Sequence, residues 1–481
     1  MSPGTAAARR AARRPISRDV RLFWCASAFD ALGTQASGVV LPLLLLGLGH
    51  SAAVVGLVAG ASTAAGLLLA PLAAIPADRG ARKPVMFWSA TTSAVAMAGV
   101  AAAAVGKGEG GPPLALLLGA VLVERFSTAV YEAAAAGTVA MIAPPADGPR
   151  VVAGLSAGDQ GALILGPALG GALYQAARAL PFLADALSYA VAAGCVRALG
   201  SDLRPQGRPT AQDRTTAQDR TTEQDRAAEQ DRPTEQGRAA ASARTSAEPP
   251  TDADACPDSR SRTTPADPGA PAPAPRTRRL RRLLDELGAG YALVRSSPLL
   301  RLVVTWTATV NGVIVALYYG AVFTLHEGGH GGWPMGMVLA LSGAAGLAGS
   351  LAAPRLAGRV DAARLLVTVT WLLVPLAAGL AAAEGPWAYG ALFGAFCLVM
   401  PLVAVVLQAR ALRETPPGLQ ARTGVVLAGA VGGSAALAPV LAGAFVTRAG
   451  TAAPAAVCAG VLLALAWRTT AVRSRLAEAT A

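Results

Sequence analysis

Residues 386–409 are PWAYGALFGAFCLVMPLVAVVLQA, a stretch of the chain without a charged side chain. A helix of about 20 apolar residues crosses the roughly 30 Å of hydrocarbon in a lipid bilayer. Similar stretches recur along the chain, and short charged blocks separate them. The 481 residues are 53% hydrophobic and only 15% charged, which is too little charge for the surfaces of several soluble domains. The sequence therefore predicts an all-α membrane protein.

We predict twelve transmembrane helices in two pseudo-symmetric six-helix bundles, because GPALGGA at 166–172 is echoed by APVLAGA at 438–444. The predicted spans are 20–48, 52–75, 84–105, 113–141, 151–176, 180–199, 299–325, 333–353, 364–383, 386–409, 424–446 and 452–468. The bundles then occupy 20–200 and 299–468, with a basic N-terminus at 1–19 and a tail at 469–481.

Arginine is distributed unevenly between alternate loops. One set of loops holds most of the Arg residues, whereas the other holds only Lys107, Arg178 and Arg448. Cytoplasmic loops of membrane proteins carry the excess of positive charge. We therefore predict a multi-pass protein of the bacterial plasma membrane with both termini in the cytoplasm, and we expect it to be a monomer.

The centre of the chain has a different composition. Residues 201–275 repeat TTAQDR-like hexapeptides and end in a Pro-rich run, so they lack the apolar anchors of a core and predict a disordered cytoplasmic linker. A docking tail for a partner is the alternative. Residues 276–298 combine apolar residues at helical spacing with an Arg cluster, which predicts an amphipathic helix on the membrane surface.

Three segments together resemble the major facilitator superfamily, in particular the branch of bacterial exporters that includes enterobactin and macrolide efflux proteins. They are the loop 77–83 (ADRGARK), the pair Gly166-Pro167 with Gly170-Gly171 followed by LPFLADALSY at 180–189, and the approach to the seventh span at 287–301. The resemblance implies a secondary transporter that exports a drug-like compound, siderophore or secondary metabolite in exchange for protons. A proton-linked importer is the alternative within the transporters.

Two of these segments are predicted to take part in conformational change. Asp78, Arg79 and Arg82 can form ion pairs on the cytoplasmic face that break when that side opens. Gly166, Pro167, Gly170 and Gly171 are predicted to kink the fifth span and to let helices approach closely.

Ionisable residues inside the spans are the candidates for substrate and proton binding. A charged residue at the centre of a span costs about 2.5–3.5 kcal/mol on insertion scales, so it is expected to face a cavity or a partner. We predict that Asp30 binds a proton or a cationic substrate and that Arg125, with Glu124, is its counter-charge; a structural Arg–Glu pair is the alternative. The remaining predicted cavity residues are Asp159, Gln35 and Gln160, with Glu132, Asn311 and Gln408 as further candidates and Asp185 interpreted as a helix cap.

Other functional classes lack their signatures. The chain has no G-x-x-x-x-G-K-[ST] motif for a nucleotide-driven pump, and neither paired Asp motifs nor H-E-x-x-H for a membrane enzyme. The five cysteines form no C-x-x-C pair. We therefore predict no enzyme activity, no metal and no cofactor beyond a proton gradient, with a small molecule and the lipid bilayer as partners and no nucleic acid. A receptor or scaffold without transport is the alternative from another class.

Overall fold

Twelve long α-helices follow one another in this computed structural model. The structure describes residues 16–78, 82–105, 114–142, 147–201, 288, 291–330, 332–357, 361–415 and 420–478. The helices are α1 Arg18–Gly47, α2 Ala52–Asp78, α3 Arg82–Val105, α4 Leu114–Ile142, α5 Gly148–Ala176, α6 Leu180–Ala198, α7 Pro298–Glu327, α8 Trp333–Ala357, α9 Ala362–Ala381, α10 Gly385–Glu414, α11 Gln420–Ala449 and α12 Ala453–Glu478. No strand occurs in these ranges, and the all-α prediction is confirmed.

Local chemistry fixes where several helices begin. Ser17 caps α1 by accepting a hydrogen bond from the Val20 N–H at 3.3 Å, and Ser297 caps α7 in the same way through the Leu300 N–H. Asp361 caps α9 by accepting from the Arg364 N–H at 3.0 Å. The first turns of α5, α6, α7 and α10 carry proline, whose missing N–H has no helical partner at that position.

Eleven of the twelve helices are long and apolar enough, by length and composition, to cross a membrane. The exception is α5, which we predicted as a span at 151–176. Arg150, Asp159 and Gln160 lower its hydropathy, although its 29 residues give it ample length. This helix packs along α1 and α8, both of which are apolar spans.

The two sets of six helices, α1–α6 and α7–α12, show the same pattern of neighbours. In the first set α1 packs on α5 and α6, α2 on α4, and α3 on α4 and α6; in the second set α7 packs on α11 and α12, α8 on α10, and α9 on α10 and α12. Between the sets, α2 contacts α11 and α5 contacts α8. Helices α5 and α8 are the counterparts of α11 and α2 in the other half, so the two contacts are equivalent. The predicted pseudo-symmetry of two bundles is therefore present in the packing.

The ends of the helices define two ends of the molecule. We call the end where α1 starts the Arg-rich end, and the end where α1 stops and α2 starts the Arg-poor end. At the Arg-poor end the α1–α2 turn contains Gly49 with φ of 86°, and the equivalent α7–α8 turn contains Gly329 with φ of 71°. Side chains with a Cβ rarely adopt this left-handed backbone, so glycine permits tight turns at equivalent places in both halves.

Three of the predicted segments lie wholly or mostly outside the described residues. This applies to the linker at 201–275 from residue 202 onward, to the N-terminus up to residue 15 and to most of the predicted amphipathic helix at 276–298. Within the latter segment, residues 291–296 are helical.

Candidate functional site

A cavity of about 520 Å³ lies between the two halves of the molecule. Helices α1, α4 and α5 line it from the first half and α7, α8 and α10 from the second. Its lining residues are Thr34, Gln35, Gly38, Val39, Arg125, Gln160, Leu163, Pro167, Ile314, Val315, Tyr318, Leu339, Ser342, Gly343, Gly346, Ser350, Phe393, Cys397, Met400 and Pro401. This volume is in the range of small-molecule sites.

Close contact between α5 and α8 borders the cavity on the Arg-poor side. A Cβ added at Gly171 would lie 2.6 Å from the Gly332 carbonyl oxygen, and one added at Gly336 would lie 2.6 Å from that of Pro167. Real Cβ atoms essentially never approach so closely, so these glycines let the two backbones touch. From this contact the cavity extends toward the Arg-rich end as far as Ser350 of α8.

The equivalent helices α11 and α2 make a matching contact. A Cβ at Gly443 would overlap the Ala52 carbonyl oxygen, and a Cβ at Gly56 would overlap that of Pro439. Gly443 and Pro439 occupy the same positions of the 438–444 repeat as Gly171 and Pro167 occupy in 166–172. The repeated sequence therefore marks the two places where the halves meet at the Arg-poor end.

Gly166 and Gly170, by contrast, face the interior of their own half. Cβ atoms at these positions would collide with Gln35 and with the Ala36 carbonyl of α1. The four predicted conformational residues of α5 thus divide between two neighbours, α1 and α8. Their predicted role in gating stays a prediction.

Arg125 is the charged residue in the lining of the cavity. Its Nε lies 3.5 Å from Glu124 Oε2, and its side chain is 37% exposed whereas that of Glu124 is 6% exposed. Because the guanidinium carries five N–H donors, this single contact leaves donors for a ligand in the cavity. The same arginine also borders a smaller pocket of about 70 Å³.

Hydroxyl groups hold the Glu124 carboxylate in place. Tyr189 of α6 donates to Glu124 Oε1 at 2.8 Å, and Thr128, one turn further along α4, donates to the same oxygen at 3.0 Å. The Tyr189 hydroxyl is also 3.0 Å from Thr34 Oγ1, which lies in the cavity wall and donates to the Asp30 carbonyl oxygen at 2.9 Å. The ion pair is therefore the end of a polar network that joins α1, α4 and α6.

Asp30 is buried in α1, one turn from Thr34, and is not in the lining of the cavity. The groups with the largest electrostatic influence on it are the acids Glu132, Asp185, Glu124 and Asp159. The described carboxylate partner of Arg125 is Glu124. The structure thus brings Asp30 near the network without pairing it with Arg125.

Only some of the other predicted cavity residues line the cavity. Gln35 and Gln160 line the cavity, whereas Asp159 and Glu132 are exposed and do not. Asn311 of α7 is half-buried outside the lining. The side chain of Gln408 lies outside the described residues.

The loop that follows α2 is only partly described. Arg79 and the side chain of Asp78 lie outside the described residues. Arg82 Nη1 lies 3.5 Å from Met141 Sδ, and Lys83 Nζ donates to the Leu199 carbonyl oxygen, so the start of α3 contacts the ends of α4 and α6.

One interpretation was wrong: Asp185 does not cap a helix. The N-cap of α6 is Ala179, and Asp185 lies inside the helix with no exposed surface. Sequence reasoning also missed Thr34, Thr128 and Tyr189. A detectable signal was present, since Asp30, Thr34 and Ser37 follow one another at i, i+4 and i+7 on one face of α1, and Glu124 and Thr128 do so at i, i+4 on α4.

A family model described as the Major Facilitator Superfamily matches residues 23–425. The chain belongs to this superfamily. The match begins in α1 and ends in the first two turns of α11, so it includes the first helix set, the segment between the sets and α7 to α10. This chain of the Major Facilitator Superfamily is therefore a multi-pass membrane protein of a family of secondary transporters.

Solved structures of major facilitator proteins share the fold. A mutant form of the nucleoside transporter NupG is 11% identical, has a TM-score of 0.61, and the match covers 94% of this chain and 99% of that one. The human organic anion transporter MFSD10 (TETRAN) is 17% identical, has a TM-score of 0.56, and the match covers 95% and 100%. At these identities the likeness concerns the fold alone. No curated protein matches the sequence.

Proposed function

We propose that this protein is a proton-coupled exporter that moves a small, mainly apolar compound across the bacterial plasma membrane by alternating access. The observation that carries the proposal is the cavity between the two halves, bordered on one side by close backbone contact and containing one arginine of a buried polar network. A site between pseudo-symmetric bundles is where alternating access requires it.

The lining supports an amphipathic or hydrophobic substrate. Leu163, Ile314, Val315 and Phe393 provide apolar walls, and a few polar groups from Arg125, Gln35, Gln160 and Ser342 are available to orient a ligand. Solvated compounds such as sugars need more hydrogen-bonding groups than this wall offers. We propose that Arg125 contacts the substrate while Asp30 and Glu124 exchange protons.

In the proposed orientation the Arg-rich end faces the cytoplasm. The close contacts of α5 with α8 and of α2 with α11 then lie on the outer side, and the cavity receives its substrate from the cytoplasm. In the proposed cycle, Asp78, Arg79 and Arg82 form ion pairs when the cytoplasmic side closes, while the glycine contacts on the outer side separate.

The test uses a bacterial strain deleted for its own drug exporters. Cells that express the full chain are loaded with ethidium, fluorescein or Nile red as a cationic, anionic and neutral probe, with and without a protonophore. We expect faster loss of at least one probe than in empty-vector cells, and we expect the protonophore to abolish the difference. Arg125→Ala and Asp30→Asn should each reduce this loss, whereas Glu384→Gln, an exposed acid before α10, should not.

Other outcomes of the dye assay would favour other functions. Faster accumulation of a probe would establish import in place of export. Loss that continues undiminished with the protonophore would refute proton coupling. Full activity in both Arg125→Ala and Asp30→Asn would show that the cavity network plays no part in transport. Probe content equal to that of empty-vector cells for all three dyes would favour a receptor or scaffold.

A further inference from the structure

Among the described acids of the first half, Asp185 is the most deeply buried. It is 0% exposed, and it packs from α6 against Gly33, near the middle of the 30-residue helix α1. A Cβ at Gly33 would overlap both the Asp185 carboxyl group and the Ser188 hydroxyl. Glycine at this position of α1 thus leaves the space that the carboxyl group fills.

The carboxyl group of Asp185 has only hydroxyl donors, from Ser188 and Ser37, and these are too few for a buried anion. Ser188 Oγ is 3.4 Å from Asp185 Oδ1 but 2.8 Å from the Asp185 carbonyl oxygen, and its single proton serves the closer acceptor better. Asp185 Oδ2 is buried without a hydrogen-bond partner among the described residues. An unpaired carboxylate in such surroundings is costly, and a protonated, neutral carboxyl group is far less so.

The cation that faces this group within the described part of the bundle, Arg125, pairs with a different carboxylate. The charged and titratable groups that face it are Glu124 and Arg125 of α4, Asp30 of α1 and Tyr189 of α6. Helix α3, which packs along α6, has no ionisable residue after Lys83. Arg125 is paired with Glu124 at 3.5 Å.

A polar route joins Asp185 to the substrate cavity. The Ser37 hydroxyl of α1 faces the Asp185 carboxyl group and also borders the smaller pocket, which Glu124 and Arg125 line as well. At about 70 Å³ this pocket has room for several water molecules, each needing roughly 10–15 Å³ of such volume. Tyr189, one turn from Asp185, connects the same region to Thr34 in the cavity wall.

We propose that Asp185 is a further proton-binding site, in addition to Asp30 and Glu124, and that it is protonated in the conformation seen here. On release, the O–H bond of the carboxyl group breaks, its proton passes by way of Ser37 to water in the 70 Å³ pocket, and a carboxylate remains. Release follows when a ligand or a helix movement separates Arg125 from Glu124, because the freed arginine can then balance the new negative charge. The inference rests on the proposed proton coupling and adds a residue to it.

Infrared difference spectroscopy of the purified full-length protein tests the site without a known substrate. A protonated carboxyl group has a C=O stretching band that a carboxylate lacks. We expect such a band at neutral pH in the wild-type protein, its loss in Asp185→Asn, and a shift of its frequency in Ser37→Ala. Asp30→Asn and the control Glu384→Gln should retain it.

The outcomes separate this inference from the proposed function. An unchanged band in Asp185→Asn would overturn the inference while leaving dye export intact. Loss of the wild-type band on adding sodium ions at constant pH would also overturn it, since Asp185 would then be a metal-cation site. Should Asp185→Asn fail to fold, Asp185→Glu must shift the band or the inference fails. A wild-type protein that exports no probe but shows the band would refute the exporter and support the proton site.

Discussion

The two halves of the molecule share one architecture but distribute charge differently. In the first half the helices contain Asp30, Glu124, Arg125, Glu132 and Asp159 well away from their ends, and Asp185 lies fully buried early in α6. In the described helices of the second half, the ionisable acids and bases lie near or beyond the ends of the apolar spans, and the core is built from large apolar and aromatic side chains that include Trp306, Tyr389, Phe393 and Phe396. Duplicated folds thus need not carry duplicated chemistry.

Polar groups in the second-half core serve packing. Trp306 Nε1 donates to Thr370 Oγ1 at 3.0 Å, and the Tyr389 hydroxyl donates to the Leu317 carbonyl oxygen at 3.0 Å. Both contacts are buried and neutral, and each joins two helices. The first half uses the same kinds of donor, such as the Tyr189 hydroxyl, to hold a carboxylate. We therefore propose that the first half binds the ions and that the second half contributes mainly apolar residues to the cavity wall.

The largest effects on transport are expected from substitutions at the two equivalent contacts between the halves. Gly56→Leu and Gly336→Leu each place a side chain against backbone of the opposite half, whereas Gly99→Leu has open space around it. We expect each interface substitution to disfavour the closed Arg-poor end by about 1–3 kcal/mol, as overpacking does, and to reduce export. Labelling of Cys397 in the cavity by a membrane-impermeant maleimide, in a chain whose other cysteines are Ser, measures the opening.

Gly99→Leu is the matched control and should leave labelling unchanged. Equal effects of Gly56→Leu and Gly336→Leu would support two equivalent contacts. A large effect at only one of them would show that the pseudo-symmetry of the packing has no counterpart in the energetics of closure.

A smaller effect is expected from Glu124→Leu, which tests the ion-binding half. It removes the acceptor of Tyr189 and Thr128 and leaves Arg125 without its carboxylate partner. Breaking a fully buried ion pair costs about 3–5 kcal/mol. Since Arg125 is 37% exposed and solvent screens its charge, we expect about 1 kcal/mol, measured as a lower midpoint of unfolding in denaturing detergent. Unchanged stability would mean that the network does not support the fold.

The smallest effect is expected from Trp306→Phe, which tests the packing half. It removes the hydrogen bond to Thr370 and some apolar volume. Interhelical hydrogen bonds in membranes contribute about 0.6 kcal/mol on average, so stability should fall by roughly this amount plus a small packing loss. Export per folded molecule should be unaltered. A loss of export as large as that of Arg125→Ala would remove the distinction between the halves.

The helices could be predicted almost completely from the sequence. The predicted boundaries of α2, α3, α4 and α6 agree with the structure within a few residues, because the thickness of a bilayer sets a minimum length for an apolar helix. The deviations are extensions such as α12, which continues to Glu478 beyond the predicted end at 468. A helix can leave the membrane without ending, and hydropathy does not report this.

The candidate site could be predicted only in part. Arg125, Gln35 and Gln160 were identified because polar side chains inside spans are rare, and all three line the cavity. Asp185 was misinterpreted because its distance from the start of α6 suggested a helix cap, whereas its depth is determined by its contact with Gly33 on another helix. The hydroxyl partners of Glu124 were missed because serine, threonine and tyrosine are common in spans.

The sequence by itself determined the membrane environment, the number of helices, the internal repeat and the identities of the costly charges. Each of these depends on composition or spacing along one helix, which the chain displays directly. Only the tertiary structure decided that Tyr189 of α6 and Thr34 of α1 extend the Glu124–Arg125 pair into a network, and that Gly171 and Gly443 bring the two halves together. These contacts join residues far apart in the chain, and their partners depend on how each helix is rotated against its neighbours.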